Sequence, residues 1–233
     1  MYISKNLKHP NIVLTYEVFK THRNGFIVMD FAVNGNIETE LYNRLRRPFT
    51  ESEAKSQFSG LMAGLQHMHN VNIAHRDLKL ENFLLNDKNI PMISDFGFAA
   101  LGCKQSSTVL TKLIRKTPCG TSGYMAPELY MGTRSSSESL GYDAKSVDIY
   151  AMGVCLYEMT NLGKPFSGDR GKKVIINQEI RYQVELCSDL KDLIVAMLQI
   201  DANRRPNVDD VIQSKWLNPD AFTQALNWFG LRQ

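Results

Sequence analysis

The sequence is short of the features that most quickly place a chain in a class. It has four cysteines, Cys103, Cys119, Cys155 and Cys187, far apart, with no C-x-x-C pair and no histidine at ligand spacing. That pattern argues against a zinc module or a disulfide framework and fits a reducing compartment. Charge of one sign is scarce as well: 27 Lys and Arg against 24 Asp and Glu leave a net charge of +3, and the basic residues form no block. An electrostatic footprint for nucleic acid or a membrane surface is therefore not expected, and no partner follows from charge. Long apolar runs are missing. The start Met1 to Lys5 has no signal-like hydrophobic region, and Phe26 to Val33 is short and broken by Asp30, so no membrane segment is expected. Finally, no G-x-G-x-x-G occurs anywhere in the chain.

What is present is enough apolar material, 43% of 233 residues, for one sizeable core. Ile12 to Phe19 and Phe26 to Phe31 read as strands rich in Ile, Val and Phe, joined through Asn24-Gly25 into a hairpin. Thr50-Glu51-Ser52-Glu53 is a capping box, after which Phe58, Leu61, Met62, Leu65 and Met68 recur at helical spacing. Ser146 to Met159 is apolar almost all round and predicts a helix buried on every side. Two further helices are expected, one carrying Leu190, Leu193, Ile194, Met197 and Leu198 with Ser188 as its cap, the other containing Val208, Val211 and Ile212 and capped by Asn207. The stretch Ile73 to Pro127 is turn-rich and polar, the character of loops that display functional groups. Ser135 to Ser139 is a small polar insertion unable to support packing, and there are no internal repeats.

From His75 the chain reads His75-Arg76-Asp77-Leu78-Lys79-Leu80-Glu81-Asn82, then Asp95-Phe96-Gly97, then Ala126-Pro127-Glu128. This ordered set of H-R-D-L-x-x-x-N, D-F-G and A-P-E resembles the protein kinases, over roughly residues 1 to 217. The resemblance implies an α+β fold of the protein-kinase type, a mainly helical C-lobe with a truncated N-lobe β-sheet remnant. Residues 1–31 then form the remnant (the end of helix C and two strands), 32–217 the hinge and C-lobe, and 218–233 a short C-terminal extension.

Phosphoryl transfer demands positioning and charge neutralisation more than covalent chemistry, which explains the residue types. By resemblance, Asp77 orients the acceptor hydroxyl and accepts its proton, and Lys79 neutralises charge on the transferring group. Asn82 and Asp95 are the magnesium ligands, hard oxygen donors for a hard cation. Thr121, within Gly120 to Tyr124, lines the pocket beside the acceptor and bonds toward Asp77 and Lys79. Lys79 and this segment together resemble the Ser/Thr branch. Met29 matches the gatekeeper, the backbone of Asp30 and Ala32 the adenine partners, and Leu84 the pocket floor. Glu81 is placed beside the nucleotide with Asn82 and Asp95. It also matches a residue that reads a basic side chain on the peptide, with a solvated surface glutamate as an equal alternative. Thr117 is a candidate phosphate acceptor for an upstream kinase, with Arg76 as its partner. His75, Phe96, Asp148 and the Glu128 and Arg205 pair match architectural positions. The implied cofactors are ATP and Mg2+, the partners protein substrates with Ser or Thr acceptors, without nucleic acid or membrane, and the location cytoplasmic with the nucleus as a second compartment.

Three family parts have no counterpart in the chain: the glycine-rich loop, the V-A-x-K lysine and the helix glutamate paired with it. Aligning Leu7 to Val13 with the family's helix-to-strand junction puts that glutamate immediately before Met1, and Lys5 and Lys8, on the remnant helix, cannot replace the strand lysine. The chain is thus expected to be N-terminally truncated, to bind Mg-ATP weakly and to phosphorylate poorly. Asn34-Gly35-Asn36 and Asp95 to Ala99 resemble the calcium/calmodulin-dependent group, especially testis-specific serine kinases. Two function classes stand: a Ser/Thr protein kinase, favoured by intact Asp77, Lys79, Asn82 and Asp95, and a non-catalytic scaffold, favoured by the missing nucleotide machinery. A small-molecule kinase is disfavoured because Gly120 to Glu128 resembles a peptide platform.

Overall fold

The computed structural model describes residues 2–45, 47–102, 112–131, 141–166 and 180–220. The Ser135 to Ser139 run, Cys103 and the chain beyond residue 220 lie outside the described residues. A short helix α1 (Tyr2–Lys5) opens the fold. Of the two lysines expected on it only Lys5 is there; Lys8 lies past its end.

The predicted hairpin forms from β1 (Thr15–Lys20) and β2 (Gly25–Met29), antiparallel, with Val18 opposite Ile27 and Phe19 opposite Phe26. Thr21 Oγ1 accepts the Asn24 N–H at 3.1 Å and closes the turn. Its strands are shorter than the sequence suggests at both ends. Ile12 and Val13 are drawn away to a different strand: Val13 N–H donates to the Ile93 carbonyl at 3.0 Å, and both residues are buried. At the other end, Asp30 N–H still reaches the Leu14 carbonyl at 3.0 Å, but Phe31 is 84% exposed and outside the ladder.

After α2 (Ile37–Asn43), capped by Asn36, comes α3 (Glu51–Asn70). Its capping box is realised in both directions: Thr50 Oγ1 accepts the Glu53 N–H at 3.3 Å and Glu53 accepts the Thr50 N–H at 2.9 Å. The apolar periodicity becomes a buried stripe of Ala54, Phe58, Leu61, Met62, Leu65 and Met68. Short strands follow, β3 (Ile73–Ala74), β4 (Phe83–Leu85), β5 (Pro91–Ile93) and β6 (Ala100–Leu101), paired β3 with β6 and β4 with β5. Gly64 lets α3 approach the N-terminal segment, since a Cβ there would lie 2.8 Å from the Asn11 carbonyl.

Beyond β7 (Ile114–Arg115), α4 (Pro127–Met131) and β8 (Tyr142–Asp143) runs the pillar α5 (Ala144–Asn161). Every residue from Val147 to Tyr157 is buried, as expected for a helix apolar all round. It starts earlier than its apolar run because Asp143 accepts the Lys145 N–H at 3.1 Å, which places Asp148 one turn inside the helix and not at its beginning. The next described helix, α6 (Ser188–Met197), packs on α5 across Gly153, where a Cβ would meet Met197 Cβ at 2.9 Å. Ser188 is the first residue of α6 and not its cap. Cys187 takes that place, held extended by Glu51, which accepts its N–H and its thiol, each at 2.8 Å. The last described helix, α7 (Val208–Ile212), is capped by Asn207 as expected, in a box with Asp210. Among the described residues no helix is long and apolar enough to cross a membrane. The result is an α+β fold in which small antiparallel sheets sit on a helical core and the loops between β3 and α4 are held against α5.

Candidate active site

Asp148 is the anchor from which the site is built. Its fully buried carboxylate accepts the His75 N–H at 2.8 Å, the Arg76 N–H at 2.7 Å and His69 Nε2 at 3.0 Å. These bonds hold the loop while Arg76 takes a left-handed φ of 71°, a conformation that costs a non-glycine residue about 1–3 kcal/mol. His75 carries the fold inward. Nδ1 accepts the Asp77 N–H at 3.3 Å and Nε2 lies 2.8 Å from the Ser94 carbonyl, which fixes the proton on Nε2. Burial pushes the His75 pKa below its ordinary value, so the ring is neutral.

Asp77, Lys79 and Thr121 converge although 44 residues separate the first from the last. Thr121 Oγ1 donates to Asp77 Oδ1 at 2.7 Å and accepts from Lys79 Nζ at 3.0 Å, while Lys79 Nζ lies 3.6 Å from Asp77 Oδ2. Asp77 is buried and Lys79 half-buried. One carboxylate thus faces one hydroxyl and one ammonium at the mouth of the loop. Gly120, at φ 120°, makes this closure sterically feasible, because a Cβ there would lie 3.0 Å from the Arg76 carbonyl.

Asn82 joins the same loop to the segment bearing Asp95. Its Nδ2 donates to the Asp77 carbonyl at 2.9 Å, and its own carbonyl accepts both the N–H and the hydroxyl of Ser94, each at 2.9 Å. Asp95 follows directly, exposed, in a left-handed conformation at φ 59°, its Oδ1 accepting the Gly97 N–H at 3.2 Å. The donor set suits magnesium: with Nδ2 used internally, Asn82 presents its amide oxygen, and Asp95 presents an exposed carboxylate. Among the described residues no group of three or more His, Cys, Asp or Glu could hold a metal, so two protein oxygens would share the ion with phosphate oxygens and water. Phe96 packs its ring 5.4 Å from that of His75.

The hinge residues lie apart from this cluster in sequence. Met29 ends β2, 46% exposed, and Asp30 uses its N–H on Leu14, leaving its carbonyl. The Ala32 carbonyl accepts the Gly35 N–H at 3.2 Å, leaving the Ala32 N–H. The connector is stitched to β4 by Leu85 N–H on the Gly35 carbonyl at 2.8 Å, which sets half-buried Leu84 beneath it.

Glu81 meets the Tyr124 hydroxyl, which lies 3.4 Å from its carboxylate and donates to Glu158 at 2.7 Å. Burial raises the pKa of Glu158, and burial together with Glu81 raises that of Glu38. Lys164 Nζ sits 4.1 Å over the Tyr124 ring. Arg76 Nη2 donates to the Thr117 backbone carbonyl at 2.6 Å. Glu128 and Arg205 form the expected ion pair as a fork of two 2.7 Å bonds. His69, Ser94 and Tyr142 escaped the sequence reading. Only His69, at the end of a predicted helix, carried any signal, and it was the weak one of a polar residue on a buried face.

The protein kinase domain family model matches residues 1–217, and the chain belongs to the protein kinase family. Its curated relatives place it in the serine/threonine branch. The chain is similar to testis-specific serine/threonine-protein kinase 1 of Mus musculus, 36% identical over 222 residues, covering 92% of this chain and 58% of the mouse protein. The human form is likewise 36% identical over 57% of its length. Probable serine/threonine-protein kinase fhkE of Dictyostelium discoideum is 33% identical over 236 residues, 31% of that protein. The chain therefore spans under two thirds of the length of these relatives.

Proposed function

We propose that the site transfers the γ-phosphoryl group of ATP to Ser or Thr hydroxyls of protein substrates. The convergence of Asp77, Lys79 and Thr121 carries this reading. Asp77 already accepts a hydrogen bond from one hydroxyl and is placed to orient a second, that of the substrate, and to take its proton. Lys79 supplies a positive charge beside that oxygen, and Thr121 fixes the spacing of the two. Asn82 and Asp95 would hold Mg2+, which when bound with ATP neutralises charge on the phosphate oxygens. The Asp30 carbonyl, the Ala32 N–H and Leu84 would receive the adenine, with Met29 at its back. Glu81, next to Tyr124 and Glu158, suits a basic side chain of the peptide better than it suits the nucleotide. Thr117 remains a candidate phosphate acceptor for an upstream kinase.

The 233 residues hold no glycine-rich loop, and removing even one preorganised donor at a developing charge typically costs about a hundredfold to a thousandfold in rate. The chain by itself therefore binds Mg-ATP weakly and transfers phosphate slowly. Calorimetric titration of the 233-residue chain tests both halves. ATP should bind weakly yet measurably better with Mg2+ than without, and Asp95→Asn should erase the difference. Equal binding with and without Mg2+ would remove the assigned ligands, and rapid peptide phosphorylation by the isolated chain would remove the predicted weakness. A scaffold role would instead give no magnesium-dependent gain at all.

A further inference from the structure

We propose that Tyr142 is a positioning residue whose hydroxyl ties Arg76 to the Thr117 carbonyl, ordering the stretch from Leu113 to Thr121 against the catalytic loop without any phosphate. The inference rests on the kinase reading for its catalytic consequence and on geometry alone for the lock itself.

The guanidinium of Arg76 has donors and no acceptor, so it must find oxygen atoms. Its Nε donates to the Tyr142 hydroxyl at 3.0 Å, its Nη2 to the Thr117 carbonyl at 2.6 Å and its Nη1 to the Phe98 carbonyl at 3.4 Å. All three acceptors are neutral. The Tyr142 hydroxyl closes the triangle by donating to the same Thr117 carbonyl at 2.9 Å. One phenol oxygen thus uses its hydrogen on the segment and a lone pair on the arginine. A phosphate placed here would accept from the guanidinium and so draw the segment in; the phenol and a peptide carbonyl perform both tasks together. The guanidinium carbon also lies 5.9 Å from the centre of the Tyr142 ring. Burial raises the Tyr142 pKa, which keeps the hydrogen on the oxygen at neutral pH.

Backbone pairing delivers Tyr142 to this place. Ile114 pairs with Asp143 and Arg115 with Tyr142 across β7 and β8. Asp143 Oδ1 accepts the Leu113 N–H at 3.0 Å, and the Leu113 carbonyl accepts the Ala144 N–H at 2.9 Å. Gly141, at φ 81°, is required for the approach, because a Cβ there would lie 2.7 Å from the Arg115 carbonyl. The start of α5, itself fixed in the core, therefore serves as the anchor for the segment. A short way along the chain stands Thr121, bonded to Asp77 and Lys79. The Thr117 side chain takes no part in the lock, so the contact to Arg76 does not require its modification.

The test uses the 233-residue chain, with hydrogen exchange of the amides of residues 113–121 as the readout. Tyr142→Phe removes one oxygen and should speed that exchange about tenfold, the loss expected for a charge-assisted bond, while amides of α3 and α5 stay as slow as before. Adding Thr117→Glu to that variant should slow the exchange again by giving Arg76 an anionic partner. Phosphatase treatment of the chain without substitutions, as purified from cells, should change nothing. Unaltered exchange in Tyr142→Phe would overturn the proposal, and so would loss of protection on phosphatase treatment, an arm that needs no variant and stands even if Tyr142→Phe fails to fold. In a form that transfers phosphate, Tyr142→Phe should raise the KM for peptide about tenfold and leave the KM for ATP alone. A lock that behaves as described in a protein that never transfers phosphate would count against the kinase activity and leave the lock intact.

Discussion

His75 is completely buried between two hydrogen bonds that use the two ring nitrogens of one neutral imidazole, one as acceptor and one as donor. Protonation would put a hydrogen on Nδ1, against the Asp77 N–H, and undo the loop at Asp77. Because burial lowers the folded pKa below the unfolded value of 6.5, the unfolded chain binds the proton first. Stability contributed by His75 is thus fully present above that value and is lost as pH falls through it. His9, lowered in pKa by burial and by His67, adds in the same direction. Urea midpoints measured from neutral pH downward should fall, and His75→Gln, which cannot titrate, should flatten the fall; an identical slope in the variant would contradict the assignment. Asp148 gives a companion prediction. Asp148→Ala strands two loop N–H groups and His69 in the core and should lower the unfolding free energy by about 3–5 kcal/mol, measured by chemical denaturation. Individual residues were read from the sequence with uneven success. Asp77, Asn82 and Asp95 announce themselves through motif spacing, whereas Tyr142 and Ser94 act through hydroxyls and backbone groups, for which no spacing rule exists.

Elements were legible where local chemistry decides them and less so where a distant contact does. The capping box at Thr50 and the cap at Asn207 depend on neighbours two or three residues away and form as expected. Ser188 did not become a cap because Glu51, far off in sequence, holds Cys187 there instead. The hairpin lost Ile12 and Val13 to β5 for the same kind of reason. The tie between α4 and the turn before α7 is of this non-local type. Arg205, its side chain fully buried, forks onto Glu128 and also donates to the carbonyls of Gln199, Ser146 and Ile200. Arg205→Ala should cost about 3–5 kcal/mol through the carboxylate left unpaired. Arg205→Lys should recover less than half of that, because an ammonium cannot reproduce the fork. Full recovery by lysine in a denaturation experiment would show that charge alone matters there.

At the scale of the molecule, the helical core displays the loops that bring Asp77, Lys79 and Thr121 together, while the β1 and β2 hairpin is thin. Among the described residues β1 and β2 pair only with each other, and Phe19, Phe26, Ile27, Val28 and Met29 are all more than 40% exposed. A two-stranded ribbon is marginal by itself, and an exposed apolar one is an association hazard. The fold class and the catalytic loop could be read from the sequence because motif order is independent of packing. The contact of Glu81 with Tyr124 could not, because it depends on where a residue more than forty positions away ends up. The most direct test of the central claim supplies the missing side. The glycine-rich loop and lysine-bearing strand common to protein kinases would be fused ahead of residues 1–233, and transfer of labelled γ-phosphate to Ser, Thr and Tyr peptides measured with and without Asp77→Asn. The account predicts transfer to Ser and Thr that falls about 10²–10⁴-fold in the variant, with ATP affinity unchanged. Transfer that survives Asp77→Asn at the parent rate, or a fusion that binds Mg-ATP tightly and transfers nothing, would contradict it.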